Sequence, residues 1–323
     1  MPHQPSRKSS RNKTLQLSVK DGALFFKRCL AMSDISADMA PKELHNKTIC
    51  GDSFALMPLL PDSCVDLAIV DPPYNLSKRY AGATFSSTTR TAYERYTVSW
   101  LNLLLPLLKP TASLYICCDW KSSISISHVL TEYEAQKKLK LQNRITWQRE
   151  KGRGARSNWK NSMEDIWFCT IGDTYTFNLN AVKQRRKVIA PYREQGRPKD
   201  WKQTKAGCFR DTCPSNFWDD ISIPFWSMAE NTAHPTQKPE KLLAKLILAS
   251  SNSGDLVFDP FLGSGTTSVA AKKLGRQYLG IEQSELYCTW AEKRLADAEH
   301  TATIQGYTDG VFWERNTVPF QHN

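Results

Sequence analysis

The order of elements written in the sequence predicts an α/β protein, a largely parallel sheet with helices on both faces. Three observations carry this. The run "CVDLAIVDPPY" is apolar at Val65, Leu67, Ala68, Ile69 and Val70, and so continuous a run suits a strand buried on both faces. Strand-like and helix-like patterns alternate at both ends of the chain, which builds a sheet between two helical layers. Between them, residues 180–232 lose the alternation and are rich in Arg, Lys, Pro, Gly and Trp, the mark of an inserted region.

In chain order, residues 1–40 are weakly patterned and begin with the basic, polar "MPHQPSRKSSRNKT". Without a hydrophobic signal-peptide region, this start reads as a disordered basic arm. "NKTICGDSF" reads as a short strand ending at Asp52, and the next strand ends at Val70. A polar, Ser/Thr-rich loop follows Tyr74, and "AYERYTVSWLNLLLPLL" then has helical spacing and stops near Pro110. "ASLYICCD" is a strand and "SISHVLTEYEAQKK" a helix. "RITWQR", "EDIWFCTI" and "TYTFN" read as strands spaced for antiparallel pairing at one sheet edge. "KPEKLLAKLILASS" puts Leu242, Leu243, Leu246 and Ile247 on one helical face. Strand "DLVFDP", helix "TTSVAAKKLG" closed by Gly275, strand "RQYLGIE" and helix "LYCTWAEKRLADA" complete the series.

Composition narrows the functional classes. The chain has 323 residues, 41% of them hydrophobic, enough for a sizeable core. No apolar run approaches the ~18 residues of a membrane span. The nine cysteines form no CxxC pair and no Cys/His spacing of a zinc site. Cys117 and Cys118, inside "SLYICCD", read as reduced, buried thiols. Net charge is +11, and it is unevenly placed. From Lys137 to Arg210 there are 19 Lys/Arg against 6 Asp/Glu, a surplus of +13, so the rest of the chain sums to about −2. Such a localised surplus faces a polyanion, usually nucleic acid.

Two stretches carry the chemistry. In "DLVFDPFLGSGTTSVAAKKLGRQYLGIE", Asp259 ends a strand, Gly263, Ser264 and Gly265 form a tight loop, Thr266 opens a helix and Glu282 ends the next strand. Glycines let a backbone approach a ligand closely, and an acid about 20 residues on suits ribose hydroxyls. The third glycine of a dinucleotide fingerprint is absent, which argues against NAD, and no Gly-Lys-Ser/Thr follows to make a Walker A loop. Alone, "GSG" is equally an ordinary strand-to-helix turn. The second stretch is Asp71-Pro72-Pro73-Tyr74, at the end of a buried strand, where open α/β sheets place ligands.

Together these stretches resemble a known family. "DPFLGSGTT" resembles the S-adenosylmethionine loop of amino-DNA methyltransferases, "DPPY" their catalytic motif, and "HPTQKP" from His234 the segment before the cofactor loop. The order of DPPY, basic region, HPTQKP and glycine loop resembles the beta group, whose chain is circularly permuted. The resemblance covers about residues 46–298 and implies a Rossmann-like, S-adenosylmethionine-dependent methyltransferase sheet, permuted, with an inserted DNA-recognition region. It implies that Asp259, Phe261, Gly263, Ser264, Gly265, Thr266 and Thr267 line the methionine and sugar of the cofactor, and that Glu282 binds its ribose. Thr236, Gln237 and Lys238 would close over the methionine carboxylate, with Lys238 supplying the charge. Asp52 would lie near the adenine ring, or serve as a helix N-cap.

Catalysis then has a clear physical demand. An exocyclic amino group is a poor nucleophile because its lone pair is drawn into the ring. The Asp71 carboxylate and the Pro72 carbonyl can accept its two N–H bonds. Pro73 stiffens the backbone at Pro72, and Tyr74 offers a ring to a flipped-out base. Alignment supplies most of the rate, and no metal is implied. By the same resemblance, Asp rather than Ser at the first motif position implies adenine N6 over cytosine N4. Arg149, Lys151, Arg153, Arg156 and Lys160, with Arg185, Arg186, Lys187, Arg193 and Arg197, are the expected DNA contacts. The loop after Tyr74 is expected to act as a mobile flap. The implied organisation is a basic arm (1–40), a catalytic half (41–180), a target-recognition region (181–232), a cofactor-binding half (233–300) and a C-terminal tail (301–323). The implied setting is a cytoplasmic, bacterial type II restriction-modification enzyme acting on double-stranded DNA. A cognate endonuclease would share its target without needing to bind the protein, and the family resemblance implies a homodimer of this chain. A cytosine-N4 enzyme and an inactive DNA-binding relative are the alternatives.

Overall fold

A computed structural model of the protein describes residues 9–80, 83–149, 156–188, 193–204 and 207–315. Its main sheet has nine strands: β1 (Leu30–Ala31), β2 (Lys47–Cys50), β3 (Val65–Val70), β4 (Leu108–Asp119), β5 (Lys140–Gln148), β6 (Met163–Thr170), β7 (Phe217–Trp218), β8 (Leu256–Asp259) and β9 (Gln277–Glu282). Their spatial order is β1-β2-β9-β8-β3-β4-β6-β5-β7. Neighbours from β1 through β4 run parallel. β6 lies antiparallel between β4 and β5, and β7 is parallel to β5. The late strands β8 and β9 are therefore threaded between the early strands β2 and β3.

Both faces of β3 are buried, as its composition requires. Ala68 and Val70 point into one apolar layer with Trp100, Leu101 and Ile126. Leu67 and Ile69 point into another with Leu242, Leu246 and Val269. The first layer is covered by α3 (Arg90–Leu104) and α4 (Trp120–Ala135); the second by α5 (Glu240–Ser250), α6 (Thr266–Lys273) and α7 (Glu285–Asp297). Two shorter helices, α1 (Val19–Phe26) and α2 (Ser53–Leu56), complete the α-helices among the described residues. Among the described residues, no helix is long and apolar enough to cross a membrane.

The structure departs from the sequence reading in three places. "TYTFN" is not a strand. The Asn178 amide N–H donates to Ala249 O (2.7 Å) and its side chain donates to Ser251 O (3.0 Å), so this segment satisfies orphan carbonyls at the end of α5 instead of joining a ladder. The sheet edge is β7. Residues 1–8 of the basic arm lie outside the described residues, but the segment from Asn12 onward is anchored: Lys13 N donates to Trp226 O (2.7 Å) and Leu15 N to Asn231 O (2.9 Å). α1 packs on α7, with Lys293 Nζ 5.7 Å from the Phe25 ring centre. Finally, the seemingly aperiodic middle segment has its own small sheet. Its strands are ordered 202–204, 207–212, 184–187, 311–313 and 307–308. The C-terminal strand Val311–Trp313 lies parallel to Gln184–Lys187, so the tail completes the insert. The loop after Tyr74 carries a short hairpin, Lys78–Tyr80 with Ala83–Phe85. The base of that loop is closed where Thr88 N donates to Asn75 Oδ1 (2.7 Å).

Candidate active site between the carboxyl ends of the central strands

β3 and β8 are adjacent and parallel, with Leu67 beside Val257 and Ala68 beside Phe258. Their carboxyl ends therefore bring the DPPY turn and the glycine loop together, although 188 positions separate Asp71 from Asp259 in the sequence. Between them lies a cleft of about 360 Å³ whose walls include Asp52, Asp71, Tyr74, Lys238, Asp259 and Glu282.

The glycine loop is built from its own hydrogen bonds. Buried Asp259 accepts from Phe261 N (2.9 Å) and from Thr267 Oγ1 (2.6 Å). Gly263 N donates to Glu282 Oε2 (2.9 Å), and Ser284 N donates to Glu282 Oε1 (2.8 Å). Gly265 has φ +84°, and a Cβ there would lie 2.5 Å from Ala291 Cβ. Only glycine allows the start of α6 to meet α7 this closely. From below, Arg294 donates to Ser264 O (2.8 Å) and Thr266 Oγ1 (3.0 Å) and pairs with Glu240 (3.0 Å). Burial pushes Asp259 up to about 7 against the bonds from Thr267 and Phe261. Burial also raises Glu282. A cleft with acids on its walls and a glycine cradle suits a cationic ligand that carries ribose hydroxyls, and S-adenosylmethionine has both features.

Asp52 is a helix N-cap that also faces the cleft. It caps α2 by accepting from Phe54 N (3.1 Å). In the "HPTQKP" segment, Gln237 Oε1 accepts from Thr232 N (2.8 Å) and Thr232 Oγ1 (2.7 Å), while its Nε2 donates to Glu230 O (2.6 Å). Gln237 thus staples its own loop. Thr236 lines the cleft, and its N–H donates to His234 Nδ1 (3.4 Å). His234 packs edge-on against Tyr287, with 4.5 Å between ring centres.

The DPPY turn is clamped by both helices above it. Pro73 O accepts from Tyr93 Oη on α3 (3.0 Å), and Asn75 N donates to Ser122 Oγ on α4 (3.0 Å). Tyr74 is 5% exposed, and its hydroxyl donates to Asp71 Oδ1 (2.8 Å). Tyr74 is also one of the residues lining the cleft. Lys238, read from the resemblance as a partner for the cofactor carboxylate, has its ammonium on Asp71 Oδ2 (2.6 Å), with Glu164 Oε2 at 3.3 Å. Burial works against this charge, but Asp71 and Glu164 overcome it and raise Lys238 above the ordinary lysine value.

The basic residues divide. Arg149 is paired with Glu164. Arg156 and Lys160 are exposed. Arg185 makes a two-pronged pair with Asp211 (2.7 Å on each prong), and Arg186 lies 3.9 Å from Glu314. Lys187 is exposed, and Arg193 sits over Trp201 at 5.4 Å. Lys151, Arg153 and the side chain of Arg197 lie outside the described residues. The sequence reading did not single out Glu164, Arg294 or His234. Two of them left a signal there: Glu164 as an acid at the head of the apolar strand "EDIWFCTI", and His234 as the first residue of "HPTQKP".

Comparison with known proteins agrees with this geometry. Residues 65–293 match the profile of the N6/N4 DNA methylase family. The type II methyltransferase M.HpaI of Haemophilus parainfluenzae is 32% identical over 253 residues, covering 78% of this chain and 74% of that protein. The DNA adenine methyltransferase YhdJ of Escherichia coli (strain K12) is 32% identical over 266 residues, covering 79% and 84%. Among solved structures, M1.HpyAVI bound to SAM superposes with a TM-score of 0.52 at 23% identity, covering 77% of this chain and 98% of that one. The cytosine-N4-specific PvuII DNA methyltransferase gives 0.55 at 17% identity, covering 80% and 92%. At those identities the two structures speak for the fold alone. With the family profile spanning both the DPPY turn and the glycine loop, the chain belongs to the N6-adenine/N4-cytosine DNA methylase family.

Proposed function

We propose that the protein methylates the N6 amino group of a flipped-out adenine within a short sequence of double-stranded DNA. One observation carries the reading: Asp71 and the glycine loop face one cleft from adjacent strand ends. The aspartate at the head of the motif and the adenine-specific name of the relative YhdJ support adenine. S-adenosylmethionine, when bound, supplies an electrophilic methyl group on a sulfonium. The chain's own residues do the rest. Asp71 and the Pro72 carbonyl accept the two amino N–H bonds, the Tyr74 ring lines the wall the base meets, and Asp259 and Glu282 hold the cofactor side. With base and cofactor both in the cleft, water would be displaced from it and each of these interactions strengthened. Family analogy extends the reading to a cytoplasmic protein on nucleoid DNA, to self-protection against an endonuclease that shares the target, and to a homodimer.

Methylation of plasmid DNA followed by mass spectrometry of the digested nucleosides tests this directly. N6-methyladenine is the expected product. N4-methylcytosine alone would move the activity to cytosine, and DNA binding with no transfer to any duplex would leave a binding module.

Cofactor affinity should also depend on pH. Asp259 is raised to about 7, so it gains its negative charge as pH climbs through neutrality. A cationic ligand binds that form better. Affinity for S-adenosylmethionine is therefore expected to rise up to about tenfold between pH 6 and pH 8, and Asp259→Asn should flatten the profile. A calorimetric titration across that range checks the sign; a flat wild-type profile contradicts it.

A further inference from the structure

We infer that Glu164 is a positioning residue that frees Asp71 for substrate by taking over the hydrogen bonds of Lys238 and Tyr74. The inference rests on the amino-group methylation proposed above. Asp71 is engaged on both oxygens: Lys238 Nζ lies 2.6 Å from Oδ2, and the Tyr74 hydroxyl donates to Oδ1 at 2.8 Å. A carboxylate shared in this way is a weak acceptor for an incoming amino N–H, because an ammonium at contact distance already draws on its charge. One atom stands ready to receive both donors. Glu164 Oε2 is 3.3 Å from Lys238 Nζ and 3.3 Å from Tyr74 Oη, so a short shift of each donor transfers it from Asp71 to Glu164.

The surroundings suit such an exchange. Glu164 is 4% exposed and its backbone is fixed from both sides, in register with Asp119 on β4 and Trp147 on β5. Its other oxygen is held by Arg149. The four charges, Asp71, Glu164, Lys238 and Arg149, sum to zero. Moving Lys238 between the two carboxylates leaves the net charge of the cluster at zero, and the buried ammonium keeps a carboxylate partner in either arrangement. The carboxylate it leaves, Asp71, is part-exposed to the cleft, where the amino N–H takes the place of the ammonium. The lysine stem is flexible enough for the pivot. Arg149 then acts within the protein, as the fixed counter-charge that holds Glu164 in place.

The test is a double-mutant cycle on single-turnover methyl transfer to duplex DNA. Glu164→Gln keeps the shape and removes the charge, so Lys238 stays on Asp71. The transfer rate should fall about 10- to 100-fold while the dissociation constants for S-adenosylmethionine and DNA stay within about threefold. In a Lys238→Met background the same substitution should cost far less, because no ammonium remains to be drawn away. Glu164→Asp, which keeps the charge, should transfer faster than Glu164→Gln. Three outcomes overturn the inference: a wild-type rate in Glu164→Gln, an equal loss with and without Lys238, or equal rates in the Gln and Asp variants. Absence of transfer by the wild-type protein would instead remove the methylation reading itself, and this inference with it.

Discussion

Asp71→Ala is expected to lower the methyl-transfer rate by about 10²- to 10⁴-fold with little change in affinity for S-adenosylmethionine. Asp71 is the only acid of the DPPY turn, and the second acceptor proposed for the amino group is the Pro72 carbonyl. Without the carboxylate, one amino N–H of the target base has no partner. Its nitrogen then keeps the planar geometry that makes it a poor nucleophile. The fold should survive the change. Lys238 retains Glu164 at 3.3 Å, and the turn stays clamped through Tyr93 to Pro73 O and through Ser122 to Asn75 N. The cofactor-side contacts of Asp259 and Glu282 are made within the glycine loop and its neighbours and do not involve Asp71. Tritium transfer measured beside a cofactor titration separates the two effects. Turnover at the wild-type rate would reduce the DPPY stretch to an ordinary turn.

Asp220→Ala is expected to destabilise the protein by about 3–5 kcal/mol, the cost of breaking a buried ion pair by removing one partner. Asp220 sits between two buried lysines of α5, with Lys245 Nζ at 2.8 Å and Lys241 Nζ at 2.9 Å. Lys245 is 1% exposed and lies over the Trp218 ring at 4.7 Å and the Phe312 ring at 5.5 Å. Lys241 also donates to the carbonyls of Asp220 (2.7 Å) and Trp313. The triad thus ties β7 and the C-terminal strand to the helical layer. Burial alone would raise Asp220, but the Lys245 and Lys241 charges hold it below the usual carboxylate value. Its stabilising contribution is therefore present above about pH 4 and is lost as pH falls through its lowered value. Denaturant melts should show a large gap between wild type and Asp220→Ala at pH 7 that narrows in acid. Replacing Lys245 by methionine in the same chain should recover part of the loss, since an apolar side chain needs no counter-ion there. Equal stability of wild type and Asp220→Ala at pH 7 would contradict this account.

What the sequence by itself determined is local. The buried character of β3, the tight loop from Gly263 to Gly265, the stiff Asp71–Tyr74 turn and the helical face of α5 follow from side-chain period and turn chemistry. These features act over a few residues, so they can be read from a single chain. The order of the motifs likewise set the expectation of a permuted sheet. Tertiary structure alone decided how that sheet is threaded, with β8 and β9 between β2 and β3. It also decided that Val311–Trp313 completes the small sheet, because strands of two to six residues are too short to show a period. Above all, it decided the ion pairs. Lys238 meets Asp71 across 167 positions of sequence, Arg294 grips the glycine loop from α7, and Arg149 turns inward to Glu164. Such partnerships leave no periodic trace, since a buried charge is placed by whichever opposite charge the fold brings within a few ångströms.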